Sequence, residues 1–277
     1  TTLIESRHED NPIYMTADGQ YTPRGIAYIV NKLDKLTGVR KLRLRDGKWV
    51  AAEGVIYEEW DSAVHLVDRF EIPRSWRRKW VVDFGMRHPF VLQCWAIDPD
   101  GGLWMYREIY HTQRIVEDHA KQILSIVREP REPGAEPDWL DPSKWRWVEP
   151  QPEAIICDHD AEDRATLERK IGLPTKAASK NVSEGINAVK ERLRPALTGS
   201  GVLRPRLHIL RDSLVELDQG LAEKLKPTCT AEEWSGYVWM DHKTKEQPLK
   251  EEDDGMDDVR YLVADEDLRP AGSVRWR

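Results

Sequence analysis

Residues 80–84 read WVVDF, residues 90–97 FVLQCWAI, residues 98–102 DPDGG and residues 103–110 LWMYREIY. Two apolar runs and one alternating run, each of strand length and joined by short segments, predict three consecutive strands in an antiparallel meander. DPDGG supplies the turn, because Asp, Pro and Gly favour the dihedral angles of a tight reversal. Asp83 stands alone in the first apolar run. A carboxylate in that setting is costly unless it meets a partner or a cation.

Outward from the meander the periodicity changes. Ile115, Val116, His119, Ile123, Ile126 and Val127 fall on one stripe and predict a helix over 112–128. Residues 129–152, rich in Pro and Trp and without periodicity, are expected to form an inserted loop. AIIC at 154–157 is short and apolar, as in a buried strand, and ends at Asp158. A helix over 161–171 stopped by Gly172, a short strand over 174–178 and a helix over 182–197 follow. A strand over 206–210, a helix over 213–225 and a closing helix over 251–265 complete the order. The sum is α/β with a mixed sheet, antiparallel in its first three strands and parallel thereafter, flanked by helices. Toward the N-terminus, residues 22–36 carry a helical stripe with Pro23 near its start and Gly38 as its stop. That segment is too small for a core of its own. Residues 1–50 are expected to be a linker or the remnant of an upstream domain, and 51–277 the domain proper.

Composition excludes several classes. The net charge is −7 and apolar residues make up 40% of the 277. No run of about 20 apolar residues is present, so no membrane helix is expected. Twelve Trp residues need burial, which argues against disorder. Cys94, Cys157 and Cys229 are odd in number and far apart, so neither a disulfide framework nor a zinc site is indicated. The chain opens Thr-Thr with no leader sequence, as expected of a cytoplasmic piece cut from a longer protein. The acidic balance argues mildly against nucleic-acid binding by charge alone.

Three carboxylate clusters carry the chemistry. Asp83 lies in the first strand, Asp158 and Asp160 follow the buried strand, and Asp253, Asp254, Asp257 and Asp258 open the closing helix. The exits of sheet strands are where open α/β folds place their sites. Asp254 and Asp258, like Asp253 and Asp257, are four apart and share a helix face, where like charges repel. Carboxylates converging without Cys are hard oxygen ligands and suit Mg²⁺ or Mn²⁺ rather than Zn²⁺. Two such ions can activate a water and stabilise the leaving oxygen of a phosphodiester. The plainer reading is that an Asp at a strand end, Asp158 or Asp160, caps the next helix and that the C-terminal acids are solvated surface.

Four stretches resemble the C-terminal nuclease domain of the large terminase subunit of tailed bacteriophages. They are GKWVAAEGVIY at 47–57, WVVDFGMRHPF at 80–90, the region 155–186 with DAEDR and then Lys180, Ser183, Gly185 and Ile186, and KEEDDGMDDVRY at 250–261. The resemblance implies an RNase H-like fold and a metal-dependent endonuclease that cuts concatemeric viral DNA during packaging. It implies Asp83, Asp158 and Asp257 as catalytic metal ligands for two Mg²⁺ or Mn²⁺ ions, with Asp160, Asp254 and Asp258 as further candidate ligands. Asp160 stays open as a substitute for Asp158, because DHDAE holds one more position than the family's Asp-Ser-Ala-Glu. Asp254 and Asp258 stand where the family has His and Ala. The implied partners are double-stranded DNA, an upstream ATPase domain of the same protein, the portal protein and the small terminase subunit, in the host cytoplasm. No Gly-x-x-x-x-Gly-Lys-Ser/Thr phosphate loop occurs, so no ATP hydrolysis is expected of these residues.

Lys176, Lys180, Lys250, Arg77 and Arg78 are the candidate DNA contacts. A solvated strand end reads equally well for the arginines. Trp139, Trp145 and Trp147 are candidates for a partner surface. Two other readings stay open: a different RNase H-like enzyme such as a transposase or junction resolvase, and a non-catalytic module docking on the portal or motor.

Overall fold

Strand alternation builds two cores. In the computed structural model, which describes residues 8–35, 45, 54–132, 134, 143–240 and 247–268, Val81 points to one face of the sheet and Trp80 and Val82 to the other. This is the period of two that a pleated strand imposes. The strands are β1 (Leu66–Val67), β2 (Arg77–Asp83), β3 (Phe90–Ile97), β4 (Leu103–His111), β5 (Arg128–Pro130), β6 (Trp145–Trp147), β7 (Ala154–Cys157), β8 (Lys176–Ala177), β9 (Ala196–Leu197), β10 (Leu203–Arg204) and β11 (Leu207–Leu210). Seven of them form one sheet in the order β1-β11-β4-β3-β2-β7-β8. β2, β3 and β4 are antiparallel neighbours, while β7 joins β2, and β8 joins β7, in parallel. This is the mixed sheet, antiparallel in its first three strands and parallel beyond them, that the sequence pattern predicts.

The helices are α1 (Val116–Val127), α2 (Ala161–Ile171), α3 (Val182–Leu193), α4 (Gln219–Glu223), α5 (Thr230–Glu233) and α6 (Asp254–Asp267). α1 and α2 cover the face of Trp80 and Val82 with Ile123, Leu124, Leu167 and Ile171. α3 and α6 cover the face of Val81 with Ile186, Val189, Val259 and Leu262. α3 can lie close to α6 because residue 185 is Gly: a Cβ there would stand 2.6 Å from Arg260 Cγ. Gly172 ends α2 in a left-handed conformation, φ 73°.

Several sequence expectations need correction. The helix expected over 213–225 shrinks to α4. Asp218 caps that helix by accepting from the Gly220 and Leu221 amides, while Leu214 bridges to Glu108 alongside the sheet. α3 stops at Leu193 because Pro195 follows and bars an α conformation at Arg194. The loop expected over 129–152 contains a hairpin, β5 with β6, in which the Arg128 guanidinium lies 3.4 Å over the Trp145 ring. Trp145 is therefore buried packing rather than a free partner surface, and Trp139 lies outside the described residues. So do Gly38 and the stretch 47–53. Val55 bridges Val238, and Ile56 and Tyr57 enter the core. Residues 22–35 hold only short helical turns. Among the described residues no helix is long and apolar enough to cross a membrane.

Candidate metal centre

Asp83 is the last residue of β2, and Asp158 is the first after β7. Val82 and Cys157 pair across these parallel strands, and the Asp158 amide donates to the Val82 carbonyl at 3.1 Å. The two carboxylates therefore leave neighbouring strands at the same end. Alternation turns both toward α6, whose first turns bring Asp254, Asp257 and Asp258 to that strand end. Asp257 is buried and Asp258 fully so.

The fields follow from this convergence. Burial, and then the carboxylates of Asp254, Asp257 and Asp158, push the Asp83 carboxyl up to about 8. Burial, then Asp83 and Asp257, hold Asp258 well above the carboxylate range. Burial and Asp253 raise Asp254 to about 6. Neither Asp258 oxygen has a hydrogen-bond partner, while Asp158 Oδ1 has His159 Nδ1 at 3.4 Å. Arg260 Nη2 stands 2.8 Å from Asp257 Oδ1 as an ion pair without hydrogen-bond alignment. Lys250 Nζ bridges Asp253 at 2.9 Å and Asp257 at 2.7 Å. Burial opposes the charge on Lys250, but Asp257 and Asp253 outweigh it and raise its affinity for the proton.

A divalent cation suits this donor set. The acids are hard oxygen ligands, and the bare, buried Asp258 oxygens with their elevated proton affinity are what a cation would relieve. As the side chains stand, no three Asp, Glu, His or Cys groups among the described residues meet at ligand distance. The Lys250 ammonium supplies part of the positive charge in the gap.

The other expected residues separate into two sets. Asp160 does not face the acids. Its Oδ1 accepts from the Glu162 and Asp163 amides at 3.0 Å each and caps α2, so the plainer reading holds for it. Lys180 stays exposed, 4.0 Å from Asp158. Arg78 is buried, donating to the carbonyls of Trp76 and Pro73. Arg77 pairs with Glu153 and Glu266. Lys176 Nζ binds Asp265 at 2.5 Å. Arg77, Lys79, Lys176 and Arg192 together clamp Asp265, Glu266 and Asp267, the acidic last turn of α6. A helix C-terminus disfavours acids and favours cations, so Arg77 and Lys176 fix the end of α6 and are engaged in internal ion pairs.

The opposite end of α6 is held by residues the sequence reading missed. Its N-cap, Asp253, makes no side-chain cap. Glu233 of α5 takes that role, accepting from the Gly255 amide at 3.1 Å and the Met256 amide at 2.8 Å. Tyr110 Oη donates to Glu233 at 2.6 Å. Gln93 Nε2 donates to Thr230 Oγ1 and to the Gly255 carbonyl, both at 2.8 Å, while Glu108 accepts from the Thr230 amide and hydroxyl. The signal was present: Gln93 and Glu108 are polar residues inside apolar strands.

No family model matches the sequence, and no curated protein matches it. Solved structures do. The large terminase of a thermophilic bacteriophage superposes with a TM-score of 0.53 at 22% identity, over 83% of this chain and 49% of that one. The same terminase in complex with ATP-gamma-S gives 0.54 at 21%, with the same coverage. The P22 large terminase nuclease domain gives 0.48 at 15%, over 76% of this chain and 92% of that one. The chain spans about half the length of the thermophilic phage's protein, and the likeness at this identity is one of fold. The chain has the fold of part of a large terminase.

Proposed function

We propose that this chain is a metal-dependent DNA endonuclease of the terminase type, cutting concatemeric viral DNA during genome packaging in the host cytoplasm. The observation that carries the reading is the convergence of Asp83, Asp158 and Asp257, from two strand ends and one helix, to within electrostatic reach of one another. The fold shared with the thermophilic phage's terminase supports it. Asp83, Asp158 and Asp257 would hold two Mg²⁺ or Mn²⁺ ions, with Asp254 and Asp258 close enough to join them. Bound there, the ions would supply activation of a water and stabilisation of the leaving 3′-oxygen.

The chain's own residues set the stage. Arg260 and Lys250 fix the Asp257 carboxylate between them. Lys250 spends two of its three N–H donors on Asp253 and Asp257 and keeps one for a phosphate oxygen. Lys180, exposed beside Asp158, is placed for a second phosphate. Residues 1–50 are the proposed link to an upstream ATPase domain, and the portal and small subunit the proposed partners of the assembled motor. The test is plasmid cleavage with Mn²⁺. Wild type is expected to nick and linearise the plasmid, and Asp83→Ala and Asp257→Ala to do neither. Undiminished cutting by both variants overturns the reading.

A further inference from the structure

Beside the acids lies a cavity of about 340 Å³. Arg87, His88, Lys224, Lys226, Lys250 and Asp254 line it. Lys250 and Asp254 belong to the metal centre as well, so the cavity runs directly into it. Arg87 follows β2 in the turn to β3, while Lys224 and Lys226 flank Leu225 after α4. Two distant segments thus bring three cations to a lining that also carries Glu251, Glu252 and Asp254. Arg87 and Lys224 are exposed, and neither side chain has a carboxylate at ion-pair distance among the described residues. Lys226 stands 4.0 Å from Glu252 on the same rim.

A second observation falls at the same place. Among the described residues, the non-glycine positions with positive φ are Gln113 (62°), Leu225 (56°) and Glu252 (55°). Gln113 and Glu252 line the cavity, and Leu225 sits between the two lysines that do. Left-handed backbone at non-glycine residues costs energy and gathers where function holds it. All three strained positions surround this one groove.

We infer that the groove takes the sugar–phosphate backbone of a DNA strand and leads it to the acids, with Arg87, Lys224 and Lys226 on successive phosphates. This rests on the nuclease reading for the identity of the ligand. An acidic centre repels phosphate, so the flanking phosphates need cations on an adjoining surface. With Arg77, Arg78 and Lys176 committed to internal contacts, this lining supplies them.

The experiment measures binding apart from cutting. Anisotropy of a short fluorescein-labelled duplex is followed against salt with the full 277-residue chain, with Ca²⁺ in place of Mn²⁺ and duplex integrity checked on a gel. Arg87→Gln with Lys224→Gln is expected to weaken binding roughly tenfold and to flatten the salt slope by about 1.8, since each lost phosphate contact removes about 0.9. Lys121→Gln with Arg169→Gln removes the same charge from exposed positions on the α1–α2 face and is expected to leave the slope near wild type. An unchanged affinity, or a loss matched by that control, overturns the proposal. So does displacement of the duplex by inorganic phosphate as effectively as by unlabelled duplex, which would mark a small-anion site. Failure of the nuclease reading is separate, since it shows as undiminished cutting by both Asp83→Ala and Asp257→Ala.

Discussion

Gly255, in the first turn of α6, lies so close to Thr230 that a Cβ at 255 would stand 2.2 Å from the Thr230 hydroxyl oxygen and 3.0 Å from Glu233 Oε2. The N-terminus of α6 is thus seated in a buried polar socket, and the acids at positions 254, 257 and 258 inherit their positions from it. Gly255→Ala is expected to cost roughly 1–3 kcal/mol, the usual range for forcing extra atoms into a packed site. Glu233→Ala strands the Gly255 and Met256 amides and the Tyr110 hydroxyl, at about 1–3 kcal/mol for each unsatisfied group. Both losses are read by urea denaturation. Cleavage at a temperature where each variant stays folded is expected to fall as well. A variant of normal activity in either case would separate the socket from the site.

Asp83 makes the metal-free protein pH-sensitive. Its folded carboxyl titrates near 8, above the unfolded value of about 3.9. A raised pKa stabilises the fold at low pH, and that stability is lost as pH rises from about 4 to 8. Without divalent ions, Asp83→Asn is expected to melt higher than wild type near pH 8. Mn²⁺ at about a hundred times its Kd is expected to raise the wild-type Tm by about 5–10 °C and to raise that of Asp83→Asn far less. Equal shifts in both proteins would remove Asp83 from the metal site.

Asp158 and Asp160 divide by function. Asp160→Ala loses the α2 cap and is expected to cost about 0.5–2 kcal/mol while cleavage persists. Asp158→Ala leaves the cap intact and is expected to abolish cleavage with little loss of stability. The reverse pattern would make Asp160 the ligand.

His119 is fully buried, its ring stacked 3.9 Å from Phe90, with neither nitrogen hydrogen-bonded. Burial, then Arg114, lower its pKa from 6.5 to about 4. The unfolded chain therefore binds the extra proton first, and stability falls as pH drops from 6.5 toward 4. His119→Leu is expected to flatten part of that decline in urea midpoints. His208, lowered to about 4 chiefly by burial, contributes a further part.

What could be read from the sequence followed from local physics. The meander, β7 and the helices flanking them obey periods of 2 and 3.6, and Asp83 stands out because a carboxylate is costly in an apolar run, while Asp257 is marked by the acidic start of the last helix and by the terminase resemblance. Tertiary pairing is where reading failed. Arg77 and Lys176 looked like surface cations because their partners, Glu266 and Asp265, lie 189 and 89 residues away. The helix expected over 213–225 was interrupted when Asp218 accepted from the distant Thr112 amide and hydroxyl. The groove was invisible for the same reason, since Arg87 and Lys224 belong to segments that meet only in the fold.

The central claim, that Asp83, Asp158 and Asp257 hold catalytic metal, is tested most directly by anomalous diffraction from crystals of this chain soaked in Mn²⁺. A peak bounded by these three carboxylates is expected, with the Lys250 ammonium withdrawn from Asp257. Full Mn²⁺ exposure with no peak beside Asp83, and Lys250 still bridging Asp253 and Asp257, would contradict it.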